Sequence, residues 1–167
     1  PPSTLYKTMK FHKGKYQVQN PEKYVGGKAP IFRSSWENTF CRMCDENENI
    51  TRWGSECVEI PYRSPLDNRW HKYYPDFLIQ YVDNDGKEHV ELIEIKPSGQ
   101  STFESARSTR EKQQVVLNSA KWEAATEWCN RKGIFFRVVN EEHIFMAKKK
   151  KKSARNAKKR IAPRRRK

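Results

Sequence analysis

Two carboxylates and a lysine, Asp76, Glu94 and Lys96, have the types and the spacing needed to hydrolyse a phosphodiester with a metal ion. Glu94 and Lys96 are two residues apart in an apolar stretch, so both side chains point to one face of a predicted strand. Charged groups on such a face are unfavourable unless they have partners. A facing carboxylate would repel Glu94, and a bound divalent cation would relieve that repulsion. The pattern therefore predicts a metal site beside a lysine.

A β-hairpin must position these groups. Strands are predicted over residues 73–82 and 89–96, joined by the turn sequence Asp83-Asn84-Asp85-Gly86. If residues 84–86 form a three-residue turn with Gly86 in the left-handed conformation, Asp83 pairs with Lys87, and counting back places Asp76 opposite Glu94. A two- or four-residue turn would put Asp76 on the other face unless a bulge restored it.

The predicted ligands are Asp76, Glu94 and the main-chain carbonyl of Ile95, which would hold one or two Mg²⁺ ions, with Mn²⁺ as an alternative. Such a metal lowers the pKa of a bound water and stabilises charge on the phosphate. Lys96 is expected to orient that water or to neutralise the pentavalent phosphate.

Further elements flank the hairpin. A first helix is predicted from Ser34, because Ser34-Ser35-Trp36-Glu37 fits a capping box, and Trp36, Phe40 and Met43 follow at helical spacing toward the core. A strand is predicted around residues 57–62. The order α-β-β-β-α-β follows when the C-terminal elements are added, and the fold class is mixed α/β (α+β).

The C-terminal elements are a long helix over about residues 104–132, a strand over 134–139 and a last helical turn over 141–146. An apolar stripe is predicted on the long helix at four-residue spacing, with Gly133 as its C-cap. The stripe consists of Val116, Ala120, Ala124 and Trp128, with Leu117 beside them.

The segments Tyr74-Pro75-Asp76-Phe77 and Glu94-Ile95-Lys96-Pro97 resemble the signature of the PD-(D/E)xK nuclease superfamily. The resemblance implies a restriction-endonuclease-like αβββαβ core, with a central mixed β-sheet flanked by helices, and Mg²⁺-dependent DNA cleavage. It also implies a catalytic role for a Glu on the first helix, where Glu37 is the matching position. The alternative role for Glu37 is the capping box.

A closer resemblance, over roughly residues 31–140, is to the head completion nuclease family of T-even-like tailed phages. It is carried by residues 32–37, 53–56, 60–62, 73–97 and 118–122. It implies an endonuclease that acts on or binds packaged DNA at the portal or neck, with portal or neck proteins as partners, in the head-neck region of the virion or in the host cytoplasm during assembly. The alternatives are a non-catalytic head-closure or neck protein that binds DNA or portal, and the endonuclease subunit of a heteromeric transposase, which shares Pro-Asp-Phe and Glu-x-Lys-Pro.

Positive charge is concentrated at the C-terminus. The net charge is +14, and 13 of the 34 Lys and Arg lie in residues 148–167, which leaves 21 basic and 20 acidic side chains in residues 1–147. Such a block is expected to be disordered alone and to bind DNA. The predicted DNA-binding residues are Lys148, Lys149, Lys150, Lys151, Lys152, Arg155, Lys158, Lys159, Arg160, Arg164, Arg165 and Arg166.

Three regions follow from these patterns: an extended N-terminal arm at 1–30, a nuclease-like domain at 31–147 and the basic tail at 148–167. The arm carries Lys7, Lys10, Lys13 and Lys15 among aromatics, which could follow a nucleic-acid backbone, and we expect it to pack over the body instead.

The cysteines could begin a zinc site, since Cys41-x-x-Cys44 precedes Cys57 and His71. We expect buried free thiols instead, because no second C-x-x-C follows and both residues fall on the first helix; Cys129 is expected in the core. No signal peptide and no stretch of about 20 apolar residues is evident, so an intracellular or packaged protein without a membrane partner is expected.

Overall fold

The computed structural model describes residues 13–97, 102, 104–140 and 142–143. In chain order the elements are β1 (Gly14–Lys15), a short 3-10 helix (Pro21–Lys23), β2 (Ile31–Phe32), α1 (Ser35–Glu46), β3 (Ile50–Ser55), β4 (Ile60–Arg63), β5 (Trp70–Tyr73), β6 (Phe77–Val82), β7 (Glu88–Ile95), α2 (Thr109–Lys132) and β8 (Phe135–Val139).

A four-stranded sheet in the order β3-β6-β7-β8 forms the centre of the fold. β3, β6 and β7 are antiparallel, and β8 lies parallel to β7 after the crossover through α2. Successive side chains of β7 point to opposite faces of the sheet, and both faces are buried. Ile93 packs in one core cluster with Phe40 of α1, and Leu92 packs in a second cluster with Ala125 of α2. The predicted αβββαβ core, a mixed sheet with a helix on each face, is confirmed.

The hairpin register is also confirmed. β6 and β7 pair from Phe77 opposite Ile93 to Val82 opposite Glu88. The Asp83 N–H donates to the Lys87 carbonyl at 2.9 Å, and Gly86 closes the turn at φ 76°. The next pair at the open end of the hairpin is Asp76 and Glu94.

The prediction for the first core strand was wrong. The strand that pairs with β6 is β3, whereas the predicted segment at 57–62 only overlaps β4, which pairs with β5 in a separate hairpin. A register shift between Ile50 and Arg52 breaks the alternation of β3, so Ile50 and Trp53 are both buried although they are three residues apart. The single strand predicted over 73–82 is likewise divided between β5 and β6.

The long helix begins later than predicted, at Thr109, because Ser108 and Glu111 form a capping box. Its buried line contains Ala125 and Cys129, whereas Val116 of the predicted stripe is exposed. Leu117, Ala120, Ala124 and Trp128 pack against the same core cluster, as predicted. A spacing of four residues drifts around a helix of 3.6 residues per turn, so Val116, the first member of the stripe, turns away from the core. Gly133 is the left-handed C-cap, as predicted. Within the described residues, no helix is both long and apolar enough to cross a membrane.

The described part of the arm packs on the body, as expected. Asp45 at the end of α1 is buried and accepts hydrogen bonds from the Tyr16 hydroxyl and from the Gln19 and Asn20 N–H groups at 2.7–3.0 Å. Burial alone would raise the pKa of Asp45, but these bonds outweigh it and hold the pKa below its ordinary value. Tyr24 forms an edge contact with Trp53 at 4.8 Å between ring centroids.

Three cysteines match the prediction, since Cys41 and Cys44 on α1 and Cys129 on α2 are buried and free. Burial raises the pKa of Cys41 to about 12 and that of Cys44 well above its ordinary value, which favours the neutral thiol form of both side chains. The basic tail, Lys7 and Lys10 of the arm and most of the predicted turn at 141–146 lie outside the described residues.

Candidate active site

Asp76 and Glu94 are held against each other at the open end of the β6–β7 hairpin. The Ile95 N–H donates to Asp76 Oδ2 at 2.7 Å, and the Asp76 N–H donates to the Glu94 carboxylate. The Tyr73 hydroxyl donates to Glu94 Oε2 at 2.7 Å. Each carboxylate is therefore bound to the backbone of the opposite strand, and the two acids occupy one face as the sequence predicted.

The electrostatics of this pair disfavour two negative charges. Burial, then the charge of Glu94, raises the pKa of Asp76 well above its ordinary value. Burial also raises the pKa of Glu94, although the bonds from Tyr73 and Asp76 and the positive charge of Lys121 oppose it. Among the described residues, no ion pair neutralises either acid. Within the described part of the chain, the charge of Lys121 acts on Glu94 without forming an ion pair, so the two carboxylates have less compensation than acids withdrawn from water require.

The donor set fits a hard divalent cation. The Ile95 N–H points toward Asp76, and in an extended strand the carbonyl of the same residue points to the same side. Two carboxylates and a carbonyl are oxygen ligands of the kind Mg²⁺ takes, with waters completing the coordination. No group of three or more His, Cys, Asp or Glu side chains in the described segments is arranged to hold a metal. A metal ion at this pair would therefore have to take its third protein ligand from another kind of group, such as the Ile95 carbonyl.

Lys96 follows on the same strand face and lies over Trp122 of α2, with Nζ 4.8 Å from the ring centroid. Its own N–H donates to the Val139 carbonyl at 2.8 Å, which anchors the backbone at the end of β7. A cation on an aromatic face is held without being neutralised. Among the described residues, Lys96 thus has an aromatic partner and no ion-pair partner.

Glu37 occupies the first turn of α1 and has two roles in the geometry. Its carboxylate accepts from the Arg33 N–H at 2.9 Å and from the Ser34 hydroxyl at 3.2 Å, while the Ser34 Oγ accepts from the Glu37 N–H. Beyond the effect of burial, its charge also contributes to the raised pKa of Asp76 and Glu94. Glu37 is thus a helix cap that also acts on the acidic pair.

Substitution separates these roles. Glu37→Gln keeps an oxygen for the Arg33 N–H, so we expect a change in unfolding free energy of less than about 1 kcal/mol. If the charge of Glu37 serves catalysis, plasmid nicking falls at least about tenfold. The matched control Ser34→Ala should lose about 1 kcal/mol of stability and keep its nicking rate at a temperature where it is folded. If the two variants nicked plasmid at equal rates, capping the helix would be the only role of Glu37.

Arg33 and Glu56 form an ion pair beside Asp76. Glu56 has φ 47°, a left-handed conformation unusual for a residue with a side chain, and its N–H donates to the Asp76 carbonyl at 3.0 Å. The charges of both side chains act on Asp76. Strained backbone is typical of functional sites, and here it places an acid and an arginine at the edge of the carboxylate pair.

Three further residues belong to the site and were not predicted from residue chemistry: Tyr73, Lys121 and Trp122. Lys121 Nζ lies 5.6 Å from the Tyr73 ring centroid, and Trp122 is the platform for Lys96. Lys121 and Trp122 lie in a stretch noted only for its family resemblance. An aromatic immediately before Tyr74-Pro75-Asp76 was the available signal for Tyr73.

Comparison with known proteins gives two matches. The family model described as TnsA-like endonuclease N terminal matches residues 47–141, which include Asp76, Glu94 and Lys96 but not Glu37. The chain is also 32% identical over 144 residues to a protein named head completion nuclease from Enterobacteria phage T4, covering 80% of this chain and 93% of that protein.

Proposed function

From the premise that this chain belongs to the TnsA-like endonuclease family, we propose that it is a metal-dependent endonuclease that hydrolyses phosphodiester bonds in DNA. Mg²⁺ is the proposed cofactor, with Mn²⁺ as a substitute. The observation that carries the proposal is the half-buried pair Asp76 and Glu94, with which no cation of the described residues forms an ion pair. A divalent ion at this pair would remove the repulsion and add the reactive centre.

The proposed role of each site residue follows from its contacts. Asp76, Glu94 and the Ile95 carbonyl hold the metal, which when bound supplies an activated water and offsets charge on the phosphate. Tyr73 fixes the Glu94 carboxylate through its hydroxyl. Lys96, which lies over Trp122, stabilises the negative charge that develops on the phosphate oxygens. Glu37 adds negative charge at the edge of the pair, where it could orient water.

The setting proposed for this activity is phage head completion. The supporting finding is the name of the T4 relative, together with coverage of 93% of that protein. We propose that the chain acts on or binds packaged DNA at the portal or neck, that portal or neck proteins are its partners, and that it resides in the virion or in the host cytoplasm during assembly.

The test of the proposed activity is nicking of supercoiled plasmid by the full chain with Mg²⁺, Mn²⁺, Ca²⁺ or EDTA. We expect nicking with Mg²⁺ and Mn²⁺ and none with EDTA. Binding of DNA without cleavage in any metal would overturn the enzymatic proposal and favour a non-catalytic head-closure protein.

The basic tail is expected to supply affinity without chemistry. Truncation after Ala147 removes 13 Lys and Arg. Because displaced counterions drive such binding, the logarithm of the association constant should fall less steeply with the logarithm of salt, each lost phosphate contact reducing the slope by about 0.9. Nicking should match the full chain at low salt and fall behind it as salt rises. An unchanged slope of DNA affinity against salt would show that the tail does not contact DNA.

A further inference from the structure

A cleft of about 330 Å³ opens between the β4–β5 hairpin and α2. Its volume lies within the range of about 300–1,000 Å³ seen for small-molecule sites. One wall is the edge of β4 with Tyr62 and Arg63, and the other is α2 with Ala124 and Trp128. Trp70 of β5 stands at its rim. None of these residues takes part in the proposed hydrolysis.

Trp70 is the most notable member, because 70% of its surface is exposed. It lies directly opposite Arg63 in the hairpin, so an indole ring and a guanidinium share one face at the rim. Large exposed aromatics contribute little to folding and are typical of binding surfaces. The combination offers a flat apolar face beside a positive charge.

Small side chains form the floor of the cleft, and charged side chains lie at its far end. Ala120 and Ala124 leave room beneath the aromatics, while Glu127 pairs with Arg131 at 3.5 Å. Glu123 also lines the cleft, and its carboxylate has no ion-pair partner among the described residues. A carboxylate in this position can accept a hydrogen bond from the amino group of a base.

Lys121 lies between the cleft and the active site. Lys121 Nζ lies 5.9 Å from the ring of Tyr62, which lines the cleft, and 5.6 Å from the ring of Tyr73, which binds Glu94. From Lys121 to Arg131, α2 extends about 15 Å at 1.5 Å per residue. A strand of nucleic acid that ran from the carboxylate pair along α2 would pass Lys121 first and Arg131 last.

We propose that this cleft binds an unstacked nucleotide of the DNA substrate, with its base against Trp70 and its phosphates near Arg63 and Arg131. The inference rests on the proposed function, since it assumes that DNA reaches the carboxylate pair. Base stacking on aromatics tolerates any sequence, and a fully paired duplex presents no free base. The preferred substrate is therefore DNA with a single-stranded extension or gap beside the cleaved bond.

The test is equilibrium binding by the full chain in EDTA at moderate salt, which limits the contribution of the tail. The probes are a blunt duplex and the same duplex with a single-stranded extension of about four nucleotides that carries 2-aminopurine. Wild type should bind the extended DNA more tightly and quench the 2-aminopurine. Trp70→Ala should weaken binding of the extended DNA by roughly 5- to 100-fold, abolish the quenching and leave affinity for the blunt duplex unchanged.

Two variants complete the test. Trp70→Phe keeps a stacking ring and should retain most of the affinity for extended DNA. Phe135→Ala removes an aromatic of β8 that is 66% exposed and lies outside the cleft, and it should behave as wild type. Because Trp70 is so exposed, its variants should unfold at the wild-type temperature. Equal affinity of wild type and Trp70→Ala for extended DNA, or an equal loss on both probes, would overturn the proposal.

The failure of this inference can be distinguished from failure of the proposed function. If wild type does not nick plasmid with Mg²⁺ but binding of extended DNA depends on Trp70, the cleft is supported and the enzymatic proposal fails. If plasmid is nicked with Mg²⁺ but Trp70→Ala binds extended DNA as wild type does, the cleft proposal fails alone.

Discussion

Replacing Asp76 with asparagine should abolish Mg²⁺-dependent nicking while leaving the metal-free protein at least as stable as wild type. A metal ion at this pair would contribute several kcal/mol to the transition state, so loss of one of its proposed ligands should slow nicking by at least about 10³-fold. The asparagine oxygen can still accept from the Ile95 N–H, and the repulsion with Glu94 disappears. Stability and activity should therefore change in different directions.

Glu91→Gln is the matched control for this experiment. Glu91 is a buried acid on the same strand, but Arg137 neutralises it at 2.9 Å. The control should lose unfolding free energy because an arginine loses its partner, and it should nick at the wild-type rate. Urea denaturation without metal and plasmid nicking with Mg²⁺ measure the two properties. Asp76→Asn that nicks plasmid, or that is destabilised as much as Glu91→Gln, would contradict the assignment.

Comparing the stability of wild type and Asp76→Asn as a function of pH tests the direction of the pKa shift of Asp76. Unfolded Asp has a pKa of about 3.9, and in the fold the pKa of Asp76 is raised well above its ordinary value by burial and by Glu94. The stabilisation from its folded-state proton is complete below about pH 4 and is lost as pH rises through the folded-state pKa. Without metal, the stability of Asp76→Asn relative to wild type should therefore increase with pH across this window. The contribution of Asp45, which has the opposite sign, is common to both proteins.

Replacing Lys96 with methionine should slow nicking by about 10²–10³-fold and leave DNA affinity in EDTA nearly unchanged. Methionine keeps the apolar contact with Trp122 but removes the charge that would stabilise the phosphate. Loss of a transition-state interaction lowers the rate constant for cleavage rather than binding. Single-turnover cleavage with excess protein separates the two quantities.

Lys132→Met is the matched control for Lys96, because Lys132 Nζ also lies 4.8 Å over a tryptophan, Trp128, but at the far end of α2. It should cleave at the wild-type rate. If both lysine variants slowed cleavage equally, the effect would come from general loss of positive charge. If Lys96→Met weakened DNA binding and left the rate constant for cleavage intact, Lys96 would be a binding residue.

The hairpin that carries the acids was predictable because its determinants are local. Turn residues Asp83 to Gly86 fix the register, and a strand period of two then transmits it to Asp76 and Glu94. The capping segment of α1 was predictable for the same reason. These are the elements in which neighbouring residues alone determine the geometry.

The remaining features depend on contacts distant in sequence. The bulge in β3 and the packing of Tyr24 on Trp53 bury a strand that has no alternating pattern of its own. The rotation of α2 about its axis depends on packing against the sheet, which exposes Val116 and brings Lys121 and Trp122 to the acids. A periodic pattern identifies a helix but fixes its facing residues only to within a fraction of a turn.

We propose that Asp76, Glu94 and the Ile95 carbonyl together hold one or two divalent cations. Anomalous diffraction from crystals of the full chain soaked in Mn²⁺ tests it most directly. We expect a manganese peak between the two carboxylates, within about 2.5 Å of an oxygen of each and near the Ile95 carbonyl. Manganese bound elsewhere, or absent from this pair at a concentration that supports nicking, would contradict it.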